Sequence, residues 1–131
     1  MRKKTEAKRL RNLAKEVLDS LGYKRSFIEV NLVTKGVMRS LNYRFRGKDS
    51  TTNVLSFGVP RGFPEPRKYF LRSLGEVYLD PAYIKSRGEN IDYLLIHGLL
   101  HLLGFGHERY DDRMKMMKLE RKILKCQKIK F

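Results

Sequence analysis

Residues 91–107 read I-D-Y-L-L-I-H-G-L-L-H-L-L-G-F-G-H and contain all three histidines of the chain. From Ile91 to Leu103 the segment is apolar nearly all round, a pattern typical of a helix that is buried on every side. His97 and His101 are spaced i, i+4. On a helix this spacing puts both side chains on one face, about 6 Å apart along the axis. The sequence therefore predicts a buried central helix that presents two imidazoles together.

The third histidine follows a glycine-rich turn. Gly104 and Gly106 allow the chain to end the helix and turn back, so that His107 supplies a third ring nitrogen. Neutral imidazole is the most common protein ligand for zinc, and three nitrogens leave an open position for water, as in catalytic zinc sites. We therefore expect His97, His101 and His107 to hold one zinc ion.

The histidines allow two alternatives to a catalytic metal site: a pair of core histidines and a structural metal site. A pair of core histidines is disfavoured, because buried imidazoles need hydrogen-bond partners that the surrounding leucine side chains do not offer. Gly98 costs about 1 kcal/mol relative to alanine inside a helix, which suggests that something approaches the backbone closely there. A structural metal site stays open as an alternative, because Glu108 beside His107 would be able to close the fourth position.

The spacing H-x-x-x-H-x-x-G-x-x-H is that of the metzincin proteases, which carry a glutamate directly after the first histidine as general base. Here that position is Gly98. A peptidase of this kind would lack its base, so a metallopeptidase is the less favoured hydrolase. Zinc lowers the pKa of bound water to about 7, which makes hydrolysis the expected chemistry.

The charge of the chain indicates a polyanionic partner. Its 131 residues include 29 Lys and Arg against 14 Asp and Glu, a formal net charge of +15. An excess of one sign is typical of proteins that bind nucleic acid, with an anionic membrane surface as the second candidate. We expect nucleic acid, and no membrane, as the partner.

Length and cysteine content bound the class of protein. At 131 residues the chain fits one domain, 1–131, that buries its own core. The single Cys126 excludes an internal disulfide and a thiolate zinc cluster, which suits a reducing cytosol. No apolar run reaches the roughly 18 residues that span a membrane, and the N-terminus does not resemble a signal peptide. We expect a cytoplasmic protein that is a monomer.

Hydrophobic periodicity predicts an α+β fold, because helical and β-forming segments are mixed without a regular βαβ order. We expect a single domain in which a small mixed β-sheet packs with about five α-helices, with the metal site on the buried central helix. Predicted helices cover 5–21, 36–45, a segment starting at Asp80-Pro81, 91–103 and 111–128, the last with Met114, Met117, Leu119, Ile123 and Leu124 inward. Predicted strands cover 27–33, 53–57 and 75–79, and residues 58–73 form a long loop with room for a short edge strand at 69–71.

Several blocks of the chain resemble the YbeY family of bacterial endoribonucleases, also called rRNA maturation factors. The family pattern H-G-x-L-H-L-x-G-x-x-H is met at residues 97–107. The block L-N-x-x-x-R-G-x-x-x-x-T-D-V-L-S-F is met at 41–57 except for one aspartate, and the strand L-G-D-I and the Met- and Glu-containing last helix correspond to 74–77 and 117–124. Together these blocks span most of the chain from Leu41 onward.

The resemblance implies a zinc-dependent, single-strand-specific endoribonuclease that acts in maturation of the small-subunit rRNA 3′ end and in ribosome quality control. Single-stranded RNA or rRNA is then the partner, with ribosomal small-subunit proteins as further candidates. The key arginine of the family maps onto Arg46. Three family aspartates are replaced here, by Asn53, Glu76 and Gly106, and the change at Gly106 removes a residue able to orient an imidazole.

Candidate roles follow for four residues besides the histidines. Arg46 would bind the phosphate through its guanidinium and offset charge that develops in the transition state. Ser56 would donate to phosphate, and Glu76 or Glu108 would handle a proton, with water or the ribose 2′-hydroxyl as nucleophile. A structural role is an equal alternative for each of these three residues. A non-catalytic RNA- or ribosome-binding protein with a structural zinc is the alternative function.

Several aromatic residues are candidates for stacking on unpaired bases. We expect most of them to belong to the core, and Tyr69 and Phe70, which lie between Lys68 and Arg72, to be the better candidates for stacking. The whole set consists of Tyr43, Phe45, Phe57, Tyr69 and Phe70.

Overall fold

The computed structural model describes residues 2–59, 71–105 and 110–129 of the chain. In chain order the elements are α1 (Arg2–Ser20), β1 (Ser26–Leu32), α2 (Lys35–Arg46), β2 (Val54–Gly58), β3 (Arg72–Leu79), α3 (Pro81–Ser86), α4 (Ile91–Leu102) and α5 (Tyr110–Cys126). The predicted α+β fold, with five helices and a small mixed sheet, is confirmed. The edge strand considered at 69–71 lies largely outside the described residues.

The three strands form one sheet in the order β1-β3-β2. β3 lies in the centre, parallel to β1 and antiparallel to β2. Helix α1 packs on β1, whereas α4 packs on β2 and β3 and also contacts α1. The order therefore places α1 and the cleft-forming strand β2 at opposite edges of the described sheet.

One hydrophobic core joins the sheet to its helices. Val30 and Val77 are register partners on β1 and β3, and both belong to this core. The most deeply buried residues of α4 are Leu95, Ile96, Leu99 and Leu100, each with an exposed fraction of 0%. The predicted buried central helix is thus confirmed. Among the described helices, none is both long and apolar enough to cross a membrane.

Side-chain caps fix where the helices after β3 begin. The side chain of Asp80 accepts a hydrogen bond from the backbone N–H of Tyr83 at 3.1 Å, which confirms the predicted start of α3. Asn90 caps α4 in the same way, accepting from the N–H groups of Asp92 and Tyr93 at 2.8 and 3.1 Å. Because the first turn of α4 is fixed, the face that carries its histidines is fixed with it.

The inward face of α5 differs from the prediction. Met116 is buried, whereas Met117, predicted to point inward, is 44% exposed. Ile123 and Leu124 are buried as predicted, and Glu120 shares their face with an exposed fraction of 3%. The helical spacing of these buried positions therefore brings a carboxylate into the interior.

β3 contains one irregularity at Gly75. The register shifts between Phe27 and Glu29 of β1, where β3 has one residue more. Gly75 has a φ of +139°, and a Cβ built there would overlap the carbonyl oxygen of Phe57 on β2. Only glycine fits this position without a shift of the backbone.

Replacing Gly75 with alanine should lower the free energy of unfolding by about 2–4 kcal/mol, because the methyl group meets backbone and the φ angle disfavours side chains. Gly36→Ala is the matched control, since a Cβ on this residue of α2 meets nothing within 4 Å and alanine favours a helix. Denaturant unfolding of both variants measures the difference. A Gly75→Ala protein as stable as the wild type would contradict the strand register.

Candidate active-site cleft

The two histidines of α4 lie next to each other. Nε2 of His97 and Nε2 of His101 are 3.1 Å apart, and the ring planes meet edge-on at 77°. Both side chains are half-buried. The spacing predicted from the sequence therefore brings the two ring nitrogens to a common point.

This separation fits a shared metal ion. In a tetrahedral zinc site with Zn–N distances near 2.0–2.1 Å, two ligand nitrogens lie roughly 3.3 Å apart. The predicted third ligand, His107, lies outside the described residues, as do Gly106 and Glu108. Within the described ranges no group of three or more metal-ligating side chains is present. The pair His97 and His101 fits one ion, and the full ligand set stays a prediction.

A buried carboxylate orients the first histidine. Nδ1 of His97 donates to Oε1 of Glu120 on α5 at 3.1 Å. Because a carboxylate only accepts, Nδ1 carries the proton and a neutral His97 has its lone pair on Nε2, the atom that faces His101. A carboxylate behind a ligating histidine is a common feature of metal sites. Glu120 was not predicted from the sequence, because the adjacent Met116 and Met117 leave the phase of α5 open and only the phase with Met116 inward places Glu120, four residues later, on the buried face.

Tyr93 joins this buried group. Burial raises the pKa of Glu120, but hydrogen bonds from His97 and Tyr93 outweigh it, so the net shift is downward. The pKa of Tyr93 is raised to about 12, first by burial and then by its hydrogen bond to Glu120. At neutral pH the carboxylate is therefore ionised and the phenol remains a hydrogen-bond donor.

The histidines open onto a cleft of about 410 Å³. Three separate elements contribute to it: the end of α2, the segment through β2, and α4. Its lining residues are Arg46, Thr52, Asn53, Val54, Leu55, Ser56, His97 and His101. The fold thus brings together Arg46 and two of the predicted metal ligands, which are about fifty residues apart in the chain.

Arg46 is the last residue of α2. Gly47 ends the helix with a φ of 70°, and the buried side chain of Asn42 holds the turn by donating from Nδ2 to the carbonyl oxygen of Ser50 at 2.8 Å. The Arg46 side chain is exposed and makes no hydrogen bond or ion pair within the described part of the chain. Its guanidinium is therefore available to an anion in the cleft.

Gly98 lets α4 approach the sheet closely. Its carbonyl oxygen accepts a hydrogen bond from Oγ of Ser56 at 3.3 Å. A Cβ on Gly98 would lie 2.8 Å from Oγ of Ser56 and 3.2 Å from Cγ1 of Val77. The group that approaches the backbone, as the sequence suggested, is the sheet. Ser56 lines the cleft as expected, but its hydroxyl bonds to α4.

Asn53 occupies one of the positions where the family pattern has aspartate. Its Oδ1 accepts from the N–H of Val54 at 2.8 Å, and its Nδ2 lies 3.2 Å from Oε2 of Glu89. An aspartate here would place two carboxylates against each other. The amide of Asn53 avoids this repulsion, because its Nδ2 donates a hydrogen bond to the carboxylate of Glu89.

Glu76 lies on the opposite face of the sheet from the histidines. Its register partner on β2 is Phe57, whereas Ser56, which contacts α4, pairs with Val77. Glu76 instead accepts from the hydroxyl of Tyr78 at 2.8 Å. This placement favours the structural alternative for Glu76 over a role in the cleft. The sequence left both open, because alternation groups residues on a face without telling which face meets α4.

A second cavity of about 770 Å³ lies between the start of α1 and α3. Its lining includes Glu6, Lys85 and Glu89 but neither of the α4 histidines. Because it contains no nitrogen pair and no unpaired arginine, the smaller cleft is the better candidate for chemistry.

The family profile and the most similar relatives found by sequence comparison all carry the same family name. The profile of the family described as "Endoribonuclease YbeY" matches residues 1–128. The endoribonuclease YbeY of Persephonella marina is 34% identical over 116 residues, which cover 82% of this chain and 74% of that protein. That of Anaeromyxobacter sp. is 36% identical over 132 residues, which cover 96% of this chain and 67% of that protein.

One solved structure is similar in fold to this chain. The solution structure of a Thermotoga maritima protein superposes with a TM-score of 0.53 at 26% sequence identity, over 92% of this chain and 85% of that one. The family profile covers nearly the whole sequence, and the relatives exceed 30% identity over most of it. The chain therefore belongs to the YbeY family of endoribonucleases.

Proposed function

We propose that this chain is a zinc-dependent, single-strand-specific endoribonuclease that acts in maturation of the small-subunit rRNA 3′ end and in ribosome quality control. The observation that carries the proposal is the cleft in which Arg46 lines one wall and the paired nitrogens of His97 and His101 line another. The net charge of +15 favours a polyanionic substrate. Membership of the family favours RNA as that substrate.

Each residue of the cleft has a distinct task in this proposal. A zinc ion, when bound, supplies a Lewis acid for a phosphoryl oxygen and lowers the pKa of water. Nε2 of His97 and Nε2 of His101 would hold the ion, with His107 as the third ligand. Glu120 keeps the proton on Nδ1 of His97, so that the ligating lone pair points to the cleft. Arg46 binds the phosphodiester and offsets the negative charge that develops on it.

The proposal extends to the setting of the enzyme. Residues 1–131 form a single metal-dependent hydrolase domain, which the common core of the described elements supports. The protein acts as a monomer in the cytoplasm, where its lone Cys126 stays reduced. Its partners are single-stranded rRNA and proteins of the small ribosomal subunit.

Replacing His101 with alanine should remove zinc and RNA cleavage together, because the remaining ligands hold the ion weakly. We expect about one zinc per chain in the wild type and less than about a tenth of that in the variant, by plasma mass spectrometry. Cys126→Ala is the control, since it removes an exposed thiol that is no ligand. Full zinc occupancy in the His101→Ala protein would show that the ligand set is wrong.

Replacing Arg46 with alanine should reduce kcat/KM for single-stranded RNA by about 10²- to 10³-fold, as loss of one charge-stabilising donor does in other enzymes. Zinc content and Tm should stay unchanged, because the side chain is exposed and without a described partner. Arg11→Ala is the matched control: Arg11 is exposed on α1, which packs at the opposite edge of the sheet. Cleavage by the Arg46→Ala enzyme at the wild-type rate would remove this residue from the site.

Replacing Glu120 with glutamine should weaken zinc binding by about 10- to 100-fold, because the amide still accepts from His97 but no longer supplies a negative charge. Titration against a chromogenic chelator measures this affinity. Glu16→Gln, on the exposed side of α1, serves as the control and should bind zinc like the wild type. Equal affinity in the two variants would mean that Glu120 has no influence on the site.

A further inference from the structure

Tyr43 is exposed beside the cleft. Its exposed fraction is 63%, and that of Phe45 is 57%, so these two candidates for stacking lie outside the core, to which most of the aromatic set was expected to belong. The reason is that α2 buries only Met38 and Asn42. Because an exposed ring buries little apolar area, it contributes little to the stability of the fold and stays accessible to a ligand.

Helical geometry places Tyr43 next to the phosphate-binding arginine. Arg39, Tyr43 and Arg46 are spaced i, i+4, i+7, which puts them on one face of α2, here named the Tyr43 face. Because Arg46 lines the cleft, this face leads out of the cleft onto the surface. A nucleic-acid strand whose phosphodiester lies in the cleft at Arg46 therefore passes Tyr43.

The Tyr43 face is positively charged. Helix α2 contains no acidic residue. Arg39 donates two hydrogen bonds to the nearby Asp49, from Nε at 2.7 Å and from Nη2 at 3.1 Å. The Nη1 group of the same guanidinium does not bind Asp49. Arg46 and the exposed Lys48 form no ion pair within the described part of the chain. These cations suit a phosphate backbone.

The other side of α2 is unsuited to that backbone. Phe45 packs on Phe57 of β2 with ring centroids 4.9 Å apart. On this outer face of the sheet, Glu76 and Glu29 are register partners, and their contact raises the pKa of Glu29, first through a hydrogen bond. Two adjoining carboxylates repel phosphate. A nucleic acid leaving the cleft is therefore directed over Tyr43 and away from Phe45.

We propose that Tyr43 is a base-stacking subsite, on which an unpaired nucleotide next to the phosphate held by Arg46 lays its base. This inference rests on the proposed function and adds to it the position of the neighbouring nucleotide. Every base has a flat π-face, so such a platform selects unpaired strands without reading their sequence. In a duplex the bases are already stacked on one another, and the platform is then unused.

The test compares two fluorescent single strands of about eight nucleotides, one of thymidylate and one with the same phosphates but no bases. Fluorescence anisotropy on the zinc-loaded protein gives both dissociation constants, and a gel confirms that the strands stay intact. The wild type should prefer the strand with bases by about tenfold or more. Tyr43→Ala should lose most of this preference, and Tyr43→Phe, which keeps the ring, should retain it.

Salt dependence separates stacking from charge. Tyr43→Ala should leave the slope of log K against log salt unchanged, because it removes no phosphate contact. Arg46→Gln should reduce that slope by about 0.7, the value for one contact to a single strand. Tyr23→Ala, an exposed tyrosine in the turn between α1 and β1, should change neither the slope nor the preference for bases.

Three results would overturn the inference. If Tyr43→Ala has the same base preference as the wild type while the wild type still cuts RNA, the stacking subsite is refuted and the proposed function stands. Loss of the preference in Phe45→Ala alone would place the strand on the outer face of the sheet. Dissociation of a wild-type dimer by Tyr43→Ala, with unchanged binding of both strands, would make this face an interface between copies of the chain.

Discussion

The site depends on the contact between α4 and the sheet at Gly98. Because this residue has no side chain, the helix lies against Ser56 and Val77 at a distance that a Cβ would not allow. The contact sets the height of the helix above β2 and β3, and with it the position of His97 and His101 over the cleft. Any residue larger than glycine has to displace either the hydroxyl of Ser56 or the helix itself.

The site also depends on a buried contact, the hydrogen bond between Glu120 and His97. An ionised carboxylate is costly to bury, and Glu120 is stabilised because His97 and Tyr93 direct hydrogen bonds at it. The same bonds hold the imidazole in one tautomer before any ion arrives. In the proposed site, metal binding would therefore require little rearrangement of His97, since α5 has already oriented it.

The sequence predicted what depends on periodicity and local chemistry. The apolar run of α4, the pairing of its histidines and the cap at Asp80 all follow from spacing and side-chain type. Glu120 was missed because two adjacent methionines left the phase of α5 ambiguous. The role of Glu76 was left open because alternation does not identify the side that a helix covers. Tyr43 was ranked below Tyr69 and Phe70 as a stacking residue because hydrophobicity alone does not reveal how narrow the buried strip of α2 is.

The hydrogen bond between Asn53 and Glu89 couples the two positions energetically. Asn53 uses its acceptor for the N–H of Val54 and its donor for Glu89, and aspartate provides only the first. Aspartate at position 53 would therefore cost less stability in a protein whose residue 89 is neutral than in this one. The residue that suits this position in the wall of the cleft thus depends on the charge of a side chain that is far away in the chain.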